Sequence, residues 1–212
     1  MNPIFIVIPT LDLEQGQRTA RMAMISSGLK ASLIRAEVIH DTQGVGFTKT
    51  VNRGLRNARP GEDICLLNDD IEAFQFSWLR ILQRELHSRP SYGLVGPSGR
   101  SASTPRTGQP GGFGLKIVNS LPFWCTLIRA QTFKDVGLLD ERLIHYSSDT
   151  WYCTLARRAS WKCVWVKSVF LWHSHQGSGF KHHWRAQDRI TLVKIGIERG
   201  EVFSRKVPAH NK

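Results

Sequence analysis

Cysteine is scarce in this 212-residue chain, and the four present, Cys65, Cys125, Cys153 and Cys163, form no Cys-x-x-Cys pair. Each lies in an apolar segment, which points to buried free thiols and argues against a disulfide framework or a thiolate metal site. Long hydrophobic runs are missing too. Ile4 to Pro9 and Val164 to Trp172 fall far short of the roughly 20 residues a membrane-spanning helix needs. The start, Met1-Asn2-Pro3, carries no charged leader or small-residue cleavage site, so a cytoplasmic protein is expected. Acidic residues are few, 17 against 29 Lys and Arg, for a formal charge of +12 at pH 7. Such a surface attracts polyanions and anionic membranes whatever its fold. The basic residues are nevertheless spread along the whole chain, with no arginine-rich arm and no nucleic-acid motif, and no nucleic-acid partner is expected.

What is present suits one globular domain: 41% of residues are hydrophobic and 22% charged. Ile4 to Ile8 reads as a strand, Glu14 to Ser27 as a helix, Leu33 to Ile39 as a strand and Phe47 to Ala58 as a helix. Pro60-Gly61 stops that helix before a short buried strand, Ile64 to Leu67, and a helix over Phe76 to His87 follows. This alternation implies a parallel sheet covered on both faces, with ligands at the carboxyl ends of its strands. After a strand ending near Val95, residues Gly96 to Gly114 are rich in Gly, Ser, Pro and Thr and read as a loop. Leu115 to Val118 and Phe123 to Ile128 read as strands, Gln131 to Val136 and Ser148 to Ala159 as helices, and Lys162 to Trp172 as a last strand. Gly177-Ser178-Gly179 marks a turn, and 191–212 reads as a C-terminal tail.

Three features carry chemistry. Asn68-Asp69-Asp70 follows the buried strand directly, and adjacent carboxylates there repel and cost desolvation unless a cation or hydrogen-bond donors compensate them. A Mg²⁺ or Mn²⁺ site and a plain Asp turn capping the next helix both satisfy that demand. His173-Ser174-His175 follows the last strand; an imidazole joining a carboxylate site shifts metal preference toward Mn²⁺, and a structural histidine pair is the alternative. Asp149 opens a helix, as an N-terminal acid favoured by the helix dipole or as a general base.

Taken in order, these segments resemble the GT-A glycosyltransferases, specifically the large family 2-like group of inverting, Asp-x-Asp enzymes. Ile6-Val7-Ile8-Pro9-Thr10 looks like that family's first strand, and Gly46 through Asn52-Arg53-Gly54 like its Gly-x-x-x-x-x-Asn-x-Gly helix. Leu66-Leu67-Asn68-Asp69-Asp70 looks like the Asp-x-Asp region, with Asn at its first position. Leu127-Ile128-Arg129 and Val136 to Arg142 resemble the segment preceding the catalytic acid. Ser148-Asp149 falls where the family has an acidic pair, and His173 where it has a late histidine. Among the departures, His40-Asp41-Thr42-Gln43 replaces the usual Asp-Asp-Gly-Ser run, and Phe123 stands where many relatives have Gly.

The resemblance implies an α/β fold, a single GT-A (Rossmann-like) domain with a mostly parallel central sheet flanked by helices. Residues 1–97 would form a nucleotide-binding lobe and 98–190 an acceptor and catalytic lobe. It implies an inverting hexosyltransferase that moves sugar from a nucleoside-diphosphate sugar, a UDP-sugar foremost, to a hydroxyl of a carbohydrate or other acceptor. Asp149 would be the base. Pro9, Thr10, Asp41, Lys49, Asn52, Asn68 and Asp69 would hold the donor nucleotide, and Asp70, His173 and Asp69 would hold Mn²⁺ or Mg²⁺. His175, Lys181, Trp124, Asp140 and Glu141 are further candidates, Trp124 as a platform for a sugar ring. A metal-dependent nucleotidyltransferase is the nearest rival, but Pro9 to Gln17 has one glycine and no lysine where its phosphate loop would lie. A non-catalytic basic nucleic-acid-binding protein would explain the charge and leave Asn68-Asp69-Asp70 unexplained.

Overall fold

The computed structural model describes residues 1–101, 113–174 and 182–201. In chain order the elements are β1 (Ile4–Thr10), α1 (Leu13–Ser26), a 3-10 turn (Ala31–Leu33), β2 (Ile34–His40), α2 (Phe47–Leu55), β3 (Asp63–Leu67) and β4 (Ile71–Phe74). There follow α3 (Trp78–His87), β5 (Tyr92–Ser101), β6 (Leu115–Val118), β7 (Cys125–Ile128), α4 (Ala130–Val136), α5 (Ser148–Arg158), β8 (Lys162–His173) and α6 (His182–Glu198).

The eight strands form one sheet in the order β2-β1-β3-β7-β5-β8-β4, with β6 on β8. β1, β2, β3, β5 and β8 share one direction, and β4, β6 and β7 oppose it, so the sheet is mostly parallel in strand direction. The apolar run of β1 divides by parity between two cores. Ile4, Ile6 and Ile8 face one cluster, and Phe5 and Val7 face the other. β3 does the same, with Cys65 and Leu67 on the first side and Ile64 and Leu66 on the second. Ala23 of α1 and Trp78, Leu79, Leu82 and Leu86 of α3 cover the first face. Val51 and Leu55 of α2 and Tyr152, Cys153 and Ala156 of α5 cover the second. Each fully buried large side chain of this kind contributes roughly 1.5 to 3 kcal/mol. All four cysteines are free and buried.

α1 starts where Asp12 accepts hydrogen bonds from the backbone N–H groups of Glu14 (3.0 Å) and Gln15 (3.1 Å), an N-cap that satisfies orphan donors. α2 lies so close to the sheet that a Cβ on Gly54 would meet Val7 Cγ1 at 2.5 Å and Ile39 Cγ1 at 2.9 Å. Phe123, at a position where glycine was the family expectation, is buried and packs edge-on against Tyr152 at 5.6 Å between ring centroids.

Three elements depart from expectation. β4 is a four-residue strand that only its pairing with β8 defines, through Ile71 opposite His173. β5 runs on to Ser101, so the loop begins later than Gly96; residues 102–112 lie outside the described part. Residues 191–198, expected as tail, belong to α6, where Leu192 and Ile195 are buried against Leu143 and Trp151. Among the described residues no helix is long and apolar enough to cross a membrane.

The tight seat of α2 generates a prediction. Gly54→Val should lower unfolding free energy by about 1 to 3 kcal/mol through overpacking, read as a lower urea midpoint; an unchanged midpoint would show that the α2 contact gives way freely.

Candidate active site

The two acids after β3 point in different directions. Asp69 turns to β1: its Oδ2 accepts from the Thr10 hydroxyl at 2.5 Å, and its carbonyl accepts from the Thr19 hydroxyl at 2.5 Å and Gln15 Nε2 at 3.3 Å. Burial, and after it the charge of Asp70, push the Asp69 carboxyl above the usual range, against the lowering effect of the Thr10 hydroxyl.

Asp70 turns to the end of β8. Its Oδ1 makes no hydrogen bond yet lies 2.8 Å from Nε2 of His173, and both side chains are almost wholly buried. Asn68 Nδ2 stands 3.3 Å from the same imidazole nitrogen. The carbonyl of Asp70 accepts from the backbone N–H (3.0 Å) and hydroxyl (3.1 Å) of Ser174, which fixes the two strand ends to each other. Trp124 stacks on the His173 ring, with centroids 5.2 Å apart and planes 11° from parallel. One face of that indole is thus taken by His173 rather than left for a sugar, and the backbone carbonyl of Trp124 accepts from Asn68 N–H at 2.8 Å. Two ligand atoms of one octahedral ion with bonds near 2.1 Å stand about 3 Å apart, so Asp70 Oδ1 and His173 Nε2 fit such an ion. Among the described residues no group of three His, Cys, Asp or Glu forms a ready cage. Asp69, expected as a further ligand, places its Oδ2 on the Thr10 hydroxyl.

Asp149 lies in the first turn of α5, behind Ser147, whose φ of 64° is left-handed. Its Oδ1 accepts from the N–H of Thr150 at 2.6 Å. Burial pushes its carboxyl above the usual range, with the Thr150 hydrogen bonds opposing. That is the direction a general base working near neutral pH requires.

Several other expected site residues have partners within the fold. Asp41 accepts from the N–H groups of Val45 and Gly46, both at 3.1 Å, and from Arg53 at 3.3 Å, so both oxygens shape the entry to α2. Burial opposes its ionisation, but these donors outweigh it and hold Asp41 below the usual range. Asn52 is buried and its amide is spent: it donates to Leu139 O (2.9 Å) and Glu141 (3.0 Å) and accepts from Leu139 N–H (3.0 Å). It therefore ties α2 to the chain ahead of α5. Glu141 pairs with Arg56 at 3.0 Å and Asp140 with Arg142 at 2.7 Å. Pro9 pairs with Ile39 within the sheet, and Lys49 is exposed on α2. His175 and Lys181 lie outside the described residues.

Asp188 was not expected at all. Wholly buried on α6, it accepts from three consecutive backbone N–H groups, those of Ile144 (2.8 Å), His145 (2.8 Å) and Tyr146 (2.7 Å). The available signal was spacing: Trp184, Asp188, Leu192 and Ile195 share one helical face.

With this geometry in view, comparison with solved structures is informative about the fold. A mannosyltransferase of Pyrobaculum calidifontis, in complex with GDP-Man and Mn²⁺, superposes with a TM-score of 0.69 at 12% identity, covering 98% of this chain and 66% of that one. GalNAc-T7 with UDP, GalNAc and Mn²⁺ gives a TM-score of 0.68 at 10% identity, covering 92% of this chain and 48% of that one. The chain has the GT-A fold. The catalytic domain of a Drosophila β1,4-galactosyltransferase 7 shares this GT-A architecture, with a TM-score of 0.60 at 14% identity over 100% of this chain and 84% of its own. No family model matches the sequence. An uncharacterized protein, y4gI, of Sinorhizobium fredii (strain NBRC 101917 / NGR234) is 26% identical over 170 residues. That match covers 68% of this chain and 18% of y4gI, so this chain spans under a fifth of that relative.

The raised carboxyl of Asp149 has a consequence for stability. An acid whose folded value exceeds its unfolded value weakens the fold at pH above both, and the penalty vanishes as pH falls below the unfolded value. Asp149→Asn should therefore raise the melting temperature at neutral pH, with the gain shrinking as pH falls toward about 4. Melting curves of the two proteins across that range check this; a gain independent of pH would remove burial of the charge as its cause.

Proposed function

We propose that the protein is a metal-dependent inverting glycosyltransferase that moves a sugar from a nucleoside-diphosphate sugar, a UDP-sugar foremost, to a hydroxyl of its acceptor. One observation carries the reading: a buried carboxylate and imidazole, Asp70 and His173, stand 2.8 Å apart at the strand ends of a GT-A sheet. The names of two fold neighbours, with Mn²⁺ beside GDP-Man or UDP, support it.

In this reading Asp70 and His173 would hold the divalent ion beside the donor's diphosphate. Imidazole in the set favours Mn²⁺ over Mg²⁺. When bound, the ion supplies Lewis-acid stabilisation to the charge that develops on the leaving diphosphate. Trp124 holds the imidazole in plane, and Asn68 lies beside it. Thr10 and Asp69 form a firm edge at the end of β1 against which the nucleoside is bound. Asp149 takes the proton of the acceptor hydroxyl as its oxygen attacks the anomeric carbon, a role worth on the order of 10²- to 10⁴-fold. Attack opposite the departing diphosphate inverts that carbon in one step. Residues 1–97 carry the donor side of this arrangement and 98–190 the acceptor side.

The test is release of nucleoside diphosphate from a panel of nucleotide sugars, with Mn²⁺, with Mg²⁺ and with a chelator. Release from one donor, abolished by the chelator, is expected; folded protein that releases nothing from any donor in the presence of carbohydrate acceptors would overturn the assignment. Two variants divide the roles. Asp149→Asn should keep donor binding and lose transfer by about 100-fold or more, so near-normal turnover removes Asp149 as the base. Asp70→Ala should weaken donor binding only when metal is present, so equal affinities with and without metal remove Asp70 as a ligand.

A further inference from the structure

We infer that Asp188 is a positioning residue for transfer, acting through the loop that presents Asp149; this rests on the reading of Asp149 as the base. The loop runs from Ile144 to Ser147, directly ahead of α5. The Asp188 carboxylate takes the N–H of Ile144 on Oδ1 and those of His145 and Tyr146 on Oδ2, at 2.7 to 2.8 Å. Three charge-assisted bonds to one buried group fix three successive peptide planes. The chain then passes through the left-handed Ser147 and enters the helix, with Asp149 in its first turn. Only Ser147 and Ser148, the latter already in the helix, separate the fixed planes from Asp149, so its placement follows theirs.

The loop is held from its other side by α2. The carbonyl of Ile144 accepts from Thr48 N–H at 3.1 Å. Gly46, at φ 96°, lets the backbones meet: a Cβ there would lie 2.6 Å from Ile144 Cγ2 and 2.7 Å from Ile144 O. His145 packs edge-on to Phe47 of α2 and at a tilt to Trp184 of α6. The loop is thus clamped between the helix that follows β2 and the helix that follows β8. A buried carboxylate left without these donors would be costly, so the acid and the three N–H groups require each other. Reaction rates fall steeply when a catalytic group is misplaced by even about 1 Å, and this clamp sets where Asp149 stands.

A cycle of four proteins tests the inference: wild type, Asp149→Asn, Asp188→Asn and the double variant, each assayed for transfer and donor binding. Asp188→Asn keeps the shape but only one acceptor oxygen. It should lower kcat by about tenfold or more while donor KM stays within about twofold. In the Asp149→Asn background the same change should cost less than about twofold, because a residue acting through Asp149 has nothing left to position. Equal losses in both backgrounds, or a KM effect at constant kcat, would overturn it. If Asp149→Asn transfers at the wild-type rate, the base assignment falls and this inference with it, an outcome seen in that single variant. A readout that needs no variant is amide hydrogen exchange in the wild-type protein. Slow exchange at Ile144, His145 and Tyr146 is expected, and exchange as fast as an open loop would remove the clamp.

Discussion

Two successive carboxylates at the end of a buried strand are the constraint around which this molecule is arranged. Asp69 and Asp70 cannot both face the same dry space without strong repulsion, and the fold sends them apart. Asp69 goes to Thr10 on one neighbouring strand. Asp70 goes toward His173, and the chain leaves β3 at that point to cross to the far edge of the sheet as β4. The order of the strands therefore sends one acid to a hydroxyl on β1 and the other to the imidazole at the end of β8. Trp124 adds to this by closing one face of the imidazole with an apolar ring, which limits both its rotation and its access to water.

The second face of the sheet serves a different purpose. The segment between α4 and α5 has little regular structure of its own, and its backbone is held by side chains from elsewhere. Asn52 grips Leu139, Arg142 spans Asp140 and Glu198, and Asp188 holds the peptides from Ile144 to Tyr146. Leu143 and Trp151 then pack with Leu192 and Ile195, so the brace is part apolar and part polar. An irregular segment can be as rigid as a helix when its N–H and C=O groups are satisfied in this way.

Legibility in the sequence followed how local each signal was. β1 and β3 were readable because both faces are buried and their apolar runs are unbroken; α1 announced itself through Asp12 and its periodicity. Asp70, His173 and Asp149 were picked out because unusual residue types follow apolar elements. β4 was not readable, since four residues with a single buried side chain, Ile71, carry too little pattern. α6 was hidden by Asp188, a charge placed within its buried face. The partners of Asp41 and Asn52 were not readable for another reason: a polar side chain shows its chemistry in the sequence but not what it bonds. Asn52 meets Leu139, 87 positions away, and no local pattern reports such a contact.

The pairing of Ile71 with His173 ties together positions from the two halves of the chain. During synthesis Asp70 leaves the ribosome long before His173 does, at speeds of about 5 to 20 residues per second. β3, which Asp70 follows, can fold early against β1, but Asp70 and His173 do not meet until β8 has slid in beside β5 and β4. Long-range closures of this kind come late in folding. The proposed ion, held by both groups together, would therefore act only on the finished sheet, and by mass action it would hold that last strand in place.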